Sequence, residues 1–204
     1  EERWGIPFFE GSFYGISDTS KSLRELARLL VARGAPPDLI TRTEALIAVE
    51  EGRVHQRLAA WRGRLAGRRV LLITGGVKSW SVVSALQEAG LVVVGTSVKK
   101  STPEDKERIR ELLGEDARMI ESMKPREMYA MLSEGRADIM LSGGRSQFVA
   151  LKATMPWLDI NQERHYAYAG YEGMLNLVRE IDRTINNPVW DAVRRPAPWE
   201  GEGE

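Results

Sequence analysis

Between Arg69 and Ile160, short apolar runs alternate with segments of helical periodicity, and this alternation limits the possible folds more than any other feature. Val70–Thr74 reads as a buried strand. Val77–Ala89 follows as a helix with Trp80, Val83 and Leu86–Gln87 at helical spacing, closed by Gly90. Leu91–Gly95 is a second continuous apolar run. Ser101-Thr102-Pro103-Glu104-Asp105 then supplies a capping hydroxyl, a proline for the first turn and acids for the positive end of a helix that reaches Leu113 and stops at Gly114. Arg118–Glu121, Ala137–Leu141 and Trp157–Ile160 read as further strands, and Pro125–Leu132, Gln147–Ala153 and Tyr171–Ile185 as further helices. Strands without polar alternation need cover on both faces. The expected architecture is α/β: a Rossmann-like, mostly parallel sheet with helices on both faces, preceded by a helical segment.

That segment contains helices over Ser22–Ala32 and Asp38–Arg64, parted by Gly34-Ala35-Pro36-Pro37. The first twenty residues carry Phe8, Phe9, Phe13 and Tyr14 and read as a strand and loop that need packing partners. The expected division is 1–35 as the remnant of a preceding domain, 36–66 as a connecting helix, 67–187 as the Rossmann-like domain, and 188–204 as an arm or tail. A chain that begins Glu1-Glu2 is expected to be processed, trimmed or excerpted.

Lys+Arg and Asp+Glu both number 29, so neither nucleic acid nor an anionic membrane is expected as a partner. The absence of cysteine excludes disulfides, thiolate nucleophiles and cysteine-ligated metal within these residues. No run is long and apolar enough for a membrane span and no signal-peptide pattern opens the chain, so the cytoplasm is the expected compartment.

In open α/β sheets ligands gather beyond the carboxyl ends of the strands. Those ends here are Thr74–Ser79, Thr96–Ser101, Ser142–Gln147 and Asn161–Tyr168, and they carry Lys78, Lys99, Lys100 and Arg145 beside Gly75-Gly76 and Gly143-Gly144. One cation about 4 Å from one negative charge gains about 4 kcal/mol at a near-surface dielectric, before desolvation costs. Convergent cations therefore suit a multiply charged anion; taken singly, each also reads as a solvated loop residue.

Common nucleotide loops do not fit. The glycines before Lys78-Ser79 lack Walker spacing, and Gly75–Trp80 lacks the later glycines and the downstream acid of a dinucleotide fingerprint. His55 reads as a surface or packing residue on the long helix, and His165 as a loop histidine that could also be a ligand. Trp80, Trp157, Tyr168 and Tyr171 read as core or interface aromatics. No nucleophile elbow or paired-carboxylate site has an anchor in the chain.

Leu71–Ser84 (LLITGGVKSWSVVS), Lys99–Arg108 (KKSTPEDKER), Leu158–Met174 (LDINQERHYAYAGYEGM) and Asn187–Trp199 (NPVWDAVRRPAPW) resemble the nitrogenase component 1 alpha-type family, with Trp4–Phe9 extending the likeness to the amino end. The last two motifs favour its cofactor-assembly scaffold (E-type) members over the catalytic alpha chain.

The resemblance implies a C-terminal portion of a scaffold that holds an iron–sulfur precursor of the iron–molybdenum cofactor. It implies pairing with an N-type subunit as a heterotetramer, docking of the nitrogenase iron protein and exchange with cluster donor proteins. It also implies an assembly role more than catalysis. By motif, Gly75, Gly76 and Lys78 match the glycine-rich turn bordering the cofactor, and Lys99 and Lys100 fall on a loop lining another side. Asn161 falls near the position of a ligating histidine, with His165 as an alternative across a gapped stretch. Arg145 joins them as a further strand-end cation. The family's cluster-ligating cysteines would lie upstream of Glu1, so these residues would contribute charge and donors without a thiolate. The alternatives are a nucleotide- or phosphate-binding module at the same turn, or a structural segment that pairs with a partner.

Overall fold

The computed structural model describes residues 5–76, 78–163 and 165–196. Its centre is a five-stranded, all-parallel sheet in the order β3-β2-β1-β4-β5. The strands are β1 (Arg69–Ile73), β2 (Val92–Ser97), β3 (Met119–Ile120), β4 (Ile139–Ser142) and β5 (Trp157–Asp159). Around them lie α1 (Ile16–Ala32), α2 (Asp38–Leu65), α3 (Ser79–Glu88), α4 (Pro103–Leu113), α5 (Pro125–Ser133), α6 (Gln147–Lys152), α7 (Gly170–Ile185) and α8 (Val189–Val193). Among the described residues no helix is long and apolar enough to cross a membrane.

Strand periodicity sorts the core into two layers. Val70, Leu72, Ile139 and Leu141 pack with Ile16, Val54, Leu58, Leu65, Leu86 and Met174, from α1, α2, α3 and α7. Their neighbours Leu71 and Met140 face the other way, onto Met128, Met131, Leu132 and Ala150 of α5 and α6. Both faces of β1 and β4 are thus covered, which is why these strands show no polar alternation. The α/β sheet with helices on both faces is the one expected.

Local chemistry accounts for α4. Thr102 Oγ1 accepts from Asp105 N at 3.2 Å, the Asp105 carboxylate accepts from Thr102 N at 3.0 Å, and Pro103 opens the first turn. The start of α1 has a different origin and corrects the sequence reading. The helix begins at Ile16, not Ser22, and the described residues before it contain no strand. Its cap is the Glu88 carboxylate at the end of α3, which accepts from Ile16 N and, at 2.8 Å, from Ser17 N. Gly15 permits this approach: its φ is +79°, and a Cβ there would lie 2.8 Å from Glu88 Oε2.

Smaller boundary shifts occur elsewhere. β2 runs on to Ser97, and α3 starts at Ser79; Val77, assigned from sequence to that helix, lies outside the described residues. Within 188–204, expected as an arm or tail, Val189–Val193 forms α8, with Trp190 Nε1 donating to Thr184 O at 2.7 Å and Arg194 Nε to Thr154 O at 3.3 Å. Residues 197–204 lie outside the described residues.

Candidate functional site at the carboxyl edge of the sheet

Because all strands are parallel, the loops after β1, β2, β4 and β5 emerge at one edge. The chain order reverses beside β1: β2 and β3 extend to one side, β4 and β5 to the other. Such a switch point is where open α/β sheets leave a crevice.

The turn after β1 is bolted to the loop after β2. Lys100 N donates to Gly75 O at 3.0 Å, and Ser101 Oγ donates to Gly76 O at 2.9 Å. Gly75 N donates to Ser97 Oγ at 2.9 Å, Gly76 N to Thr74 Oγ1 at 3.4 Å, and Ser79 Oγ to Ser97 O at 2.7 Å. Gly76 sits at φ +117°, and a Cβ there would fall 2.7 Å from Lys100 N and 2.8 Å from Ser101 N. Only glycine fits that contact. The amides of both glycines are therefore engaged within the chain.

Lys78 reaches across the sheet edge instead of outward. Its Nζ donates to Ile160 O at 2.8 Å and to Tyr14 Oη at 2.9 Å, and stands 3.9 Å from Glu163 Oε1. Tyr14 Oη donates in turn to Glu163 Oε1, whose other oxygen accepts from Tyr168 N at 2.9 Å. Burial lowers the Lys78 pKa, opposed by the charges of Glu163 and Asp159. Burial, then the bond to Glu163, raises the Tyr14 phenol, and burial first among several causes pushes Tyr168 up to about 12.

The loops after β4 and β5 also meet. A Cβ on Gly143 would lie 2.7 Å from Asn161 Nδ2, and the Asp159 carboxylate gathers Asn161 N at 2.9 Å and Gln162 N at 3.0 Å. Lys99, Lys100, Arg145 and His165 are exposed, and none has a side-chain hydrogen bond or ion pair among the described residues. The structure thus joins Gly75 to Lys100 through backbone, packs Gly76 against the Lys100 backbone with its carbonyl held by Ser101, ties Lys78 to the β5 end, and sets Asn161 against the turn that carries Arg145; among the described residues His165 has no hydrogen bond or ion pair to the others.

Tyr14, Ser97 and Glu163 take part in this network without having been singled out in the sequence. Glu163 stands inside a motif segment, and Tyr14 is one of the amino-terminal aromatics that need packing partners; its hydrogen-bonding role arises only once that segment folds over the edge. His55 is exposed on α2, and Tyr168 and Tyr171 are buried, as their sequence readings had it. No group of His, Cys, Asp and Glu able to hold a metal occurs among the described residues.

Clefts also lie away from this edge. One of about 550 Å³ sits at the amino ends of the strands, beside Arg69, Asp138 and Trp190. The other, of about 670 Å³, lies between Phe9–Ser12, α1, α3 and α4. There the Arg108 guanidinium stacks 4.7 Å from the Trp80 ring.

A family model for nitrogenase component 1 type oxidoreductases matches residues 1–186. Among curated proteins, the chain is 68% identical over 200 residues to a protein of Bradyrhizobium diazoefficiens named nitrogenase iron-molybdenum cofactor biosynthesis protein NifE. It is 53% identical over 199 residues to the Klebsiella pneumoniae protein of that name. These alignments cover 98% of the chain but 37% and 43% of the relatives, so the chain spans about two fifths of their length. Solved structures described as nitrogenase Cp1 at pH 5 and at pH 6.5 superpose with a TM-score of 0.77 each, at 23% and 20% identity. They cover 96% of the chain, and the chain covers 45% and 47% of them; the likeness bears on fold.

Proposed function

The chain belongs to the nitrogenase component 1 type oxidoreductase family, and from that premise we propose that it is part of a scaffold for assembly of the nitrogenase iron–molybdenum cofactor. Its share of the work is a cationic face for an anionic iron–sulfur precursor, carried as cargo. The observation that carries this reading is the set of exposed cations, Lys99, Lys100 and Arg145, which have no side-chain hydrogen bond or ion pair among the described residues and sit on loops flanking β1 at the switch point of the sheet. Gly75 and Gly76 hold the Lys100 loop in place, and Lys78, Asn161 and His165 supply further donors along the same edge. The identities to proteins named for cofactor biosynthesis support the pathway.

The donor set suits this cargo in charge and not in thiolate chemistry. There is no cysteine in the chain, so sulfur ligands to the cluster would come from elsewhere. In this reading the protein is non-catalytic and cytoplasmic, pairs with an N-type subunit as a heterotetramer, and meets the nitrogenase iron protein and cluster donors. A nucleotide at the β1 turn has less support, because the Gly75 and Gly76 amides that would cradle a phosphate are already bonded.

The test uses the longest chain the reading frame encodes, loaded anaerobically with a cluster built from ferrous iron and sulfide, then desalted and assayed for iron. Joint replacement Lys99→Ala, Lys100→Ala and Arg145→Ala is expected to lower retained iron several-fold with the thermal midpoint unchanged. Equal retention by the triple variant and the parent would overturn the cationic-face reading.

A further inference from the structure

We propose that Tyr14 and Glu163 are positioning residues that park the Lys78 ammonium inside the protein and so compete with the anionic cargo for it. The inference rests on the cationic-face reading above and adds to it a means of weakening the grip on the cargo. Lys78 opens α3 at the switch point, yet its Nζ is turned onto Ile160 O at 2.8 Å and Tyr14 Oη at 2.9 Å, with the Tyr14 ring centroid 5.0 Å away. The Glu163 carboxylate orients the phenol by accepting a hydrogen bond from it, and adds an opposite charge 3.9 Å from Nζ. Lys99, Lys100 and Arg145 have no such partners among the described residues.

The cations of the edge therefore fall into two kinds. Three are offered directly, whereas Lys78 must leave two hydrogen bonds and a ring face before it can turn to an anion. A ligand gains from a group only the difference between its free and bound states. Partners that hold Lys78 in the empty protein subtract from cargo affinity, and they re-form as cargo leaves. The phenol comes from the segment before α1 and the carboxylate from the loop after β5, so the parking place exists only while both cover the edge.

The experiment compares Tyr14→Phe, which keeps the ring and removes the hydroxyl, with Glu163→Gln, which keeps an acceptor and removes the charge. In the empty full chain, competitive acylation read by mass spectrometry is expected to label Lys78 more slowly than Lys99 and Lys100. Tyr14→Phe should raise the Lys78 rate about tenfold, the effect of losing one hydrogen bond to a charged group, while leaving Lys99 and Lys100 unchanged. After loading with the same ferrous iron and sulfide cluster, both variants should release iron to a chelator more slowly than the parent. A merely structural role would speed release. Unchanged Lys78 labelling, or release as fast as the parent's or faster, would overturn the inference. The cationic-face reading falls separately, on equal iron retention by the Lys99/Lys100/Arg145 triple variant.

Discussion

The turn after β1 and the loops that flank it share one edge of the sheet but are built in opposite ways. In the turn, the Gly75 and Gly76 amides, the Ser79 hydroxyl and the Lys78 ammonium are all bonded within the chain. In the flanking loops, the side chains of Lys99, Lys100 and Arg145 are exposed and have no such bonds among the described residues. A bonded turn contributes rigidity, whereas exposed cations contribute field at little cost to the fold. One edge can thus carry a fixed frame and an adjustable charge.

The largest effect that could break this comparison comes from Gly76→Ala. A new Cβ would press on the Lys100 and Ser101 backbone from a φ of +117°, and a loss of about 3 kcal/mol is expected in urea unfolding. Gly75→Ala at φ +87° meets nothing within 4 Å and should cost about 1 kcal/mol, backbone strain alone. Equal losses at the two glycines would contradict the bolted turn. The remote cap gives a middle-sized effect: Glu88→Ala should cost about 1–2 kcal/mol and deprotect the first turn of α1 in amide exchange. Smaller still, Lys99→Ala or Arg145→Ala should move stability by less than about 0.5 kcal/mol, since neither has a partner to lose among the described residues.

The subtlest test is pH. Burial lowers the Lys78 pKa in the folded protein, so the charged form carries a penalty that is fully present below the folded pKa. As pH rises through that value toward the ordinary lysine range, the folded state releases this proton before the unfolded one, and the penalty fades. The stability of the parent relative to Lys78→Gln should therefore rise with pH across that window. A flat difference would show that Lys78 is not held in a desolvated place.

Much of the fold was legible in the chain. Continuous apolar strands, glycine stops and the Thr102–Asp105 box are local signals, and local signals survive in one dimension. The start of α1 was misread for the converse reason, because its cap is Glu88 and the first turn shows no capping side chain of its own. The candidate site divides the same way. Gly75, Gly76 and the strand-end cations could be named from position along strands. The partners of Lys78 could not, since Tyr14 and Glu163 are separated from it by long stretches of sequence and meet it only across the sheet edge.

By itself, then, the sequence determined the alternation of strands and helices from Arg69 to Ile185, that β1 must be covered on both faces, and which loops carry positive charge. Periodicity, capping chemistry and composition act within a few residues, so they are written in the order of the chain. Only the tertiary structure decided that β1 lies between β2 and β4, that Gly76 must remain glycine against the Lys100 backbone, and that Lys78 is engaged while its neighbours are exposed. Those outcomes depend on distances between segments far apart in the chain, and they are set when the layers pack.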